Sequence, residues 1–162
     1  MAVPDRPSGA LADVVRAALA PPAGPHIALG PCAQGVEGMR RSRHGAREAE
    51  RVARMGGKDW LTDYGEVRLV APATADPEHA RWFVRETLGP LAAGGTRMRE
   101  LRETLRVYLA TERSPRRAAD GLHVVRNTVT YRVRAEELLP GSTREEPMGL
   151  HMALEIAQTL PG

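Results

Sequence analysis

The sequence predicts an α+β protein that is mostly helical, in which an α/β region precedes an all-α domain. Apolar residues recur at spacings of three and four along several segments that glycines and prolines separate. Only two or three short runs resemble strands, which is few for an independent sheet. Beyond Gly94–Gly95 every periodic segment is of the helical type. We therefore divide the chain into an α/β region, residues 1–92, and a helical domain, residues 93–162.

The N-terminal region opens with two amphipathic segments and a short apolar run between them. Gly9–Ala20 predicts a helix that Ser8 caps and that the following prolines end. His26–Gly30 predicts a buried strand, and Gly35–Met55 predicts a second helix that Gly56–Gly57 ends. The side chains expected to face inward from the two helices are Leu11, Val14, Val15, Leu19, Met39, Ala46, Ala49, Val52 and Ala53.

Three further segments complete this region. Trp60–Asp63 and Glu66–Ala71 are predicted to be extended, around a turn at Tyr64–Gly65. Pro77–Leu88 is predicted to be a helix that Gly89–Pro90 ends. Two aromatic side chains of this helix are expected in the core, Trp82 and Phe83.

The C-terminal domain is predicted to consist of helices. Ser114 followed by Pro115 is a strong start signal, because a hydroxyl caps the helix and proline suits its first position. A turn at Leu122–Val124 separates this short helix from a longer one, which Pro140–Gly141 ends. The predicted helices are Arg97–Thr111, Pro115–Gly121, Arg126–Leu139 and Thr143–Leu160.

A short helix, a turn of three or four residues and a second helix form the helix-turn-helix arrangement. Ala118–Ala119 are small at the place where the two helices must approach closely. Leu122 and Val124 can fill the turn, and Val129 and Val133, four residues apart, can pack the second helix inward. This packing predicts that the polar side chains of the second helix point outward.

Those polar side chains are of the kinds that recognise DNA. Arginine can form paired hydrogen bonds with guanine, asparagine with adenine, and threonine can contact a phosphate or a thymine methyl group. We predict a double-stranded DNA partner, and the predicted base-reading residues are Arg126, Asn127, Thr128, Thr130, Tyr131 and Arg134. The residues at the start of the preceding helix that are placed to contact phosphates are Ser114, Arg116 and Arg117.

The distribution of charge supports this prediction. The chain has a net charge of only +3, but residues 97–134 contain ten arginines and four acidic residues, a net charge of +6. Residues 135–162 contain one arginine and five glutamates, a net charge of −4. A GC-rich genome would explain the preference for arginine over lysine but not the clustering. A basic block of this kind is typical of a surface that contacts the phosphate backbone.

The sequence shows no catalytic, metal-binding or cofactor-binding motif. Gly30 and Gly35 have P-loop spacing, but Val36–Glu37 follow where lysine and a hydroxyl residue are required. Cys32 is the single cysteine, and the five histidines lack the spacing of metal ligands. There is no apolar run of roughly 18 residues, and Met1–Pro7 is not a signal peptide. We therefore expect a non-enzymatic cytoplasmic protein with no cofactor and no membrane partner.

Leu101–Leu139 resembles the C-terminal helix-turn-helix of the PucR/CdaR family of bacterial regulators, most specifically in Leu122–Leu139. Phe83–Leu91 is similar to the linker helix that enters this domain in the family. Four residues resemble the second half of the family's degenerate GGDEF-like domain: Met39, Ser42, Ala46 and Ala49. The resemblance implies that the α/β region is a truncated GGDEF-like domain. It also implies a transcription regulator, in a family whose members respond to metabolites and commonly form dimers or larger oligomers.

The sequence departs from the family pattern at three positions. Val125 stands before the recognition helix where the family has a polar residue, so a side-chain cap typically worth about 1 kcal/mol is missing. Ala135 is smaller than the residue expected there, and Pro140 adds an unusual stop. About half of the GGDEF-like domain is expected to be present, which motivates an alternative function. In that alternative, the chain is an interaction module that associates with another regulator through an unpaired sheet edge and does not itself bind DNA.

Overall fold

A computed structural model of the chain describes residues 9–19, 26–56, 60–141 and 147–160. These residues are mostly helical and include a small two-stranded sheet, as the sequence predicts. The chain divides into two compact units, Met1–Ala75 and Asp76–Gly162. The helix Pro77–Leu88, which we had placed with the N-terminal region, falls in the second unit. Within the described ranges no helix is long and apolar enough to cross a membrane.

The N-terminal unit is built around a β-α-β arrangement. Its two strands are parallel, with Ile27 opposite Leu61 and Leu29 opposite Asp63, so the helix between them is a crossover connection. The predicted strand at His26–Gly30 is confirmed, although its residues are half-buried. The elements in chain order are α1 (Ala10–Ala18), β1 (Ile27–Leu29), α2 (Gly35–Gly56), β2 (Leu61–Asp63), α3 (Tyr64–Val67) and α4 (Val70–Ala73).

Glycines determine which side of α2 faces the rest of the unit. Gly38 and Gly45 are buried, and a Cβ atom on Gly45 would lie 2.4 Å from Cδ of Pro31 and 3.1 Å from Cγ of Tyr64. Helix α2 therefore approaches its neighbours with its backbone at these points. Met39, predicted to face inward, is 74% exposed, so that prediction is wrong. Of the other predicted inward residues of α2, Ala46 is half-buried and three are buried: Ala49, Val52 and Ala53.

Arg51 connects α2 to the end of α4. Its Nη1 donates to the carbonyl oxygen of Thr74 at 2.7 Å, and its Nη2 donates to that of Ala71 at 2.5 Å. The same Nη2 donates to Oε2 of Glu48 at 2.7 Å. One guanidinium group thus donates to two carbonyl groups at the C-terminal end of a very short helix, where helical donors are few.

The prediction of an extended segment at Glu66–Ala71 is wrong, because α3 and α4 occupy this part of the chain. The predicted turn at Tyr64–Gly65 is the first turn of α3. Asp63, only 3% exposed, accepts a hydrogen bond from the Gly65 backbone N–H at 2.5 Å and so starts the helix.

Helix α1 forms where it was predicted, but its apolar side chains are not all inside. Ala12 is buried and Val15 is half-buried, whereas three of the residues predicted to face inward are exposed: Leu11, Val14 and Leu19. The predicted cap, Ser8, lies outside the described residues. The described part of this unit therefore leaves an apolar helix face uncovered.

The C-terminal unit consists of helices. Asp76 caps the first one, because its carboxylate accepts hydrogen bonds from the backbone N–H groups of Glu78 and His79. The predicted helix Arg126–Leu139 is α-helical only to Val133 and then continues as a tighter 3₁₀ segment. The elements are α5 (Pro77–Leu88), a 3₁₀ segment (Gly89–Ala92), α6 (Thr96–Ala110), α7 (Pro115–Leu122), α8 (Arg126–Val133), a second 3₁₀ segment (Arg134–Leu138) and α9 (Pro147–Thr159).

The core of this unit is aliphatic. Trp82, expected in the core, is 66% exposed, and Phe83 is half-buried. The expectation for Trp82 was wrong because the buried side of α5 is formed by smaller residues, including Ala80 and Val84. The largest fully buried side chains of the unit are Leu88, Leu91, Leu105, Val129, Leu154 and Ile156.

An ionic cluster joins α6 to α9. Arg106 contacts Glu103 at 3.0 Å and Glu155 at 3.4 Å, and Gln158 also donates to Glu103. The hydrogen bond from Arg106 lowers the pKa of Glu103, although partial burial acts in the opposite direction. The hydrogen bond with Glu103 in turn raises the pKa of Arg106.

Replacing Gly30 by alanine should destabilise the N-terminal unit. The new Cβ atom would lie 1.9 Å from the Ser42 carbonyl oxygen, an atom of the α2 backbone. Overpacking of this kind typically costs about 1–3 kcal/mol. Urea unfolding followed by circular dichroism measures the change. Gly94→Ala is the control, because a Cβ atom there meets nothing within 4 Å, and equal stability of the two variants would contradict the described packing.

Candidate nucleic-acid interface

Helices α7 and α8 pack through a small apolar cluster. Ala118 and Val129 are fully buried, and Ala119 is almost so. The small alanines let the two helices approach closely, and this contact was predicted from the sequence. Partly buried side chains surround the cluster: Val107, Tyr108, Leu122, Val124 and Val133. Since Val129 is the side chain of α8 that enters the cluster most deeply, its position determines which residues of α8 face outward.

The start of α7 is capped as predicted. Pro115 occupies the first turn, and Oγ of Ser114 accepts a hydrogen bond from the Arg117 backbone N–H at 3.4 Å. The guanidinium group of Arg117 contacts Glu112 at 2.8 Å, and both side chains are largely exposed. Arg117, a predicted phosphate-contacting residue, is therefore paired with an acidic neighbour.

The turn between the helices contains a residue in the left-handed conformation. His123 has φ 54° and ψ 41°, which ends α7. The backbone N–H of Val124 then donates to the Ala119 carbonyl oxygen at 3.1 Å. Residues other than glycine rarely adopt this backbone conformation, so the packing on both sides of His123 holds the turn.

Helix α8 begins without a side-chain cap, as the sequence predicts. Val125 occupies the N-cap position in an extended conformation, and its side chain is 70% exposed. Its carbonyl oxygen accepts a hydrogen bond from the Thr128 backbone N–H at 2.9 Å. The first N–H groups of α8 therefore depend on water or on a ligand.

The structure brings most of the predicted DNA-binding residues to the surface of two consecutive helices. Thr128 and Ser114 are half-buried. Oγ1 of Thr130 donates to the Arg126 carbonyl oxygen at 3.2 Å, which leaves its oxygen able to accept. Tyr131 is 67% exposed. The exposed predicted residues are Arg116, Arg117, Arg126, Asn127, Thr130, Tyr131 and Arg134.

Sequence reasoning missed the role of Arg132. Its Nη2 contacts Oε2 of Glu100 at 2.6 Å, and its Nη1 lies 3.5 Å from Oγ1 of Thr104. Thr104 is completely buried. Arg132 therefore holds α8 against α6. The sequence signal that could have indicated this role is the pair Glu100 and Thr104, two polar residues one helical turn apart on α6.

Three other arginines of this surface lack such a partner in the part of the chain that the structure describes. Among the described residues, none forms an ion pair with Arg116, Arg126 or Arg134. Unpaired positive charges on adjacent exposed helices produce a positive potential, which attracts phosphate groups. In the part of the chain that the structure describes, no group of three or more His, Cys, Asp or Glu side chains could hold a metal ion.

Residues 101–156 match the family model of the PucR C-terminal helix-turn-helix domain. The observed helix-turn-helix is of the PucR type. The matched segment contains α7, the turn and α8, which are the elements described above. It also reaches from most of α6 into α9, so the PucR-type domain includes the helices that support the helix-turn-helix.

The chain is also similar to a characterised regulator. It is 33% identical over 96 residues to the transcriptional activator PmfR of Paenarthrobacter nicotinovorans. The aligned segment is 59% of this chain but only 20% of that relative, so the chain spans about a fifth of its length. No solved structure matches the chain significantly. Together, the family match and this relative support the predicted function class, a DNA-binding transcription regulator.

Supplying the missing cap should stabilise the C-terminal unit. Val125→Ser places a hydroxyl where it can accept from the free N–H groups of α8, and Val125→Ala removes the exposed side chain without adding a cap. We expect the serine variant to be about 1 kcal/mol more stable than the alanine variant. Thermal unfolding of both variants measures the difference. A serine variant no more stable than the alanine variant would contradict the described start of α8.

Proposed function

We propose that this chain regulates transcription by inserting α8 into the major groove of double-stranded DNA. One observation carries the proposal: Val129 is completely buried against Ala118 and Ala119, while four polar residues of α8 are exposed, namely Arg126, Asn127, Thr130 and Tyr131. This is the arrangement that a recognition helix requires, since one side packs and the other reads base edges.

The first turn of α8 supplies the side chains best suited to bases. Arg126 and Asn127 are exposed, and they match guanine and adenine in hydrogen-bonding geometry. Thr130, Tyr131 and Arg134 continue the same surface toward the end of the helix. We assign Thr128, which is half-buried, to the edge of this surface.

Phosphate contacts are assigned to the start of α7. Backbone N–H groups at a helix N-terminus and adjacent arginines both favour an anion. Arg116 is available for this, and Arg117 would exchange Glu112 for a phosphate group. That exchange is inexpensive, because exposed ion pairs contribute only about 0–1 kcal/mol.

The base-reading assignment is tested by Arg126→Ala and Asn127→Ala. Each variant should lose about 1–3 kcal/mol of discrimination between the preferred site and one changed at the contacted base. Fluorescence anisotropy with both DNA duplexes measures this. Arg97→Ala, an exposed arginine on α6, is the charge-matched control for Arg126→Ala. If both variants kept wild-type affinity and sequence preference, the recognition assignment would be wrong.

Arg116→Ala should instead weaken binding to all sequences alike. Loss of one phosphate contact lowers the slope of log affinity against log salt by about one unit. Titrations of the wild type and the variant at several salt concentrations measure the slope. An unchanged slope would remove Arg116 from the phosphate contacts.

The other features of the proposal follow from the same function. A regulator that binds chromosomal DNA in a bacterium acts in the cytoplasm and needs no catalytic centre of its own. We assign the N-terminal β-α-β unit to the GGDEF-like domain of PucR/CdaR regulators, with Phe83–Leu91 as the linker helix. We also propose a homodimer or larger oligomer, because two-fold related helix-turn-helix units read paired half-sites.

A second candidate function is favoured by the N-terminal unit. Its exposed apolar side chains include Leu11, Val14, Leu19, Val36 and Met39, and surfaces of this kind serve association. The chain would then be an interaction module that joins another regulator without binding DNA. Light scattering and DNA titration at low salt separate the two functions. A self-associating chain that binds no DNA would favour the interaction module, and a monomer that binds no DNA would exclude both.

A further inference from the structure

The C-terminal unit contains a cleft that the proposed function does not use. It lies among α5, the 3₁₀ segment Gly89–Ala92, α6 and the end of α9, and its volume is about 380 Å³. Small-molecule sites typically have volumes of about 300–1,000 Å³. The cleft is therefore large enough for a compact metabolite.

The wall of the cleft is partly apolar. Val84 of α5 and Leu160 after α9 line the cleft and are largely buried, and the half-buried Ala157 of α9 lines it as well. Such a surface favours contact with a hydrocarbon or aromatic group over contact with water.

The charged residues of the cleft all have the same sign. Arg81, Arg85 and Arg102 line it, and among the described residues no carboxylate does. Arg81 and Arg85 are one turn apart on α5 and are exposed, and neither forms an ion pair with a described residue. Two guanidinium groups at this spacing repel each other, which a bound anion would relieve.

Arg102 is the least solvated of the three. Its Nη1 donates to the carbonyl oxygens of Leu91 at 2.6 Å and Ala93 at 2.9 Å. Burial, and secondarily the nearby charge of Arg99, lower the pKa of Arg102. Neither cause is an anionic group, and no described residue forms an ion pair with Arg102.

We propose that this cleft binds a small organic carboxylate with an apolar body. The carboxylate pairs with Arg81 and Arg85 beside the positive charge of Arg102, through charge-assisted hydrogen bonds that arginine forms in pairs. The apolar body lies against Val84, Ala157 and Leu160. This site is separate from the base-reading surface, and it gives the DNA-binding unit an effector site of its own.

Isothermal titration of the full chain with benzoate, phenylacetate and hexanoate tests the proposal, with acetate and benzamide as controls for charge alone and apolar body alone. At least one of the three acids should bind, and acetate and benzamide should each bind about tenfold more weakly or not at all. Arg81→Ala and Arg85→Ala should each weaken binding of that acid by about tenfold or more. Arg97→Ala, which removes an exposed arginine outside the cleft, should leave binding unchanged.

Several results would overturn the proposal. They are no binding of any of the three acids at millimolar concentration, equal binding of acetate or benzamide, and an equal loss in the Arg97→Ala variant. DNA titration of Arg81→Ala and Arg85→Ala without added acid tests whether the cleft arginines bind DNA phosphates instead of a carboxylate. Both variants should keep the DNA affinity of the wild type. A reduced salt slope would instead show that the cleft arginines contact DNA phosphates, so that phosphate rather than a carboxylate is their partner, and it would overturn the proposal.

Discussion

The contact of Val129 with Ala118 and Ala119 is the interaction on which the geometry of the candidate interface depends. The methyl groups of the two alanines meet the Val129 side chain there, and all three side chains are buried. This contact fixes the rotation of α8 about its own axis, because no other side of the helix could enter so narrow a space. A larger side chain at Ala118 would push the helices apart, at a typical cost of about 1–3 kcal/mol.

The arginines of the basic block divide into two kinds once this packing is fixed. Arg132 and Arg106 are held by glutamates and connect helices of the C-terminal unit. Arg126 and Arg134 have no ion-pair partner in the described part of the chain. A count of charges in the sequence treats all of these arginines alike. Only the fold shows which of them are free to bind an anion. The number of arginines in residues 97–134 therefore overstates how many of them are free to contact DNA.

Local signals predicted the C-terminal unit well, because each of its helices has its own start and stop in the sequence. Ser114 and Pro115 start α7, and alanines mark its contact with α8. The N-terminal unit was predicted less well, because its structure depends on distant contacts. Glu66–Ala71 resembles a strand by composition, yet Asp63 and Arg51 supply the hydrogen bonds that make short helices there. Periodicity placed Met39 inside because it assumes that large apolar residues face the core, whereas buried glycines form the inner side of α2.

Selection of bound DNA from a random pool tests most directly whether the exposed side of α8 reads sequence. The wild type should enrich one motif, and Asn127→Ala should enrich a motif in which a single position, an adenine in the wild-type motif, has lost its preference. The Arg116→Ala variant should enrich the same motif as the wild type, but only when the selection is carried out at a lower salt concentration. A wild-type pool that stays random, or an Asn127→Ala motif identical to that of the wild type, would contradict the account.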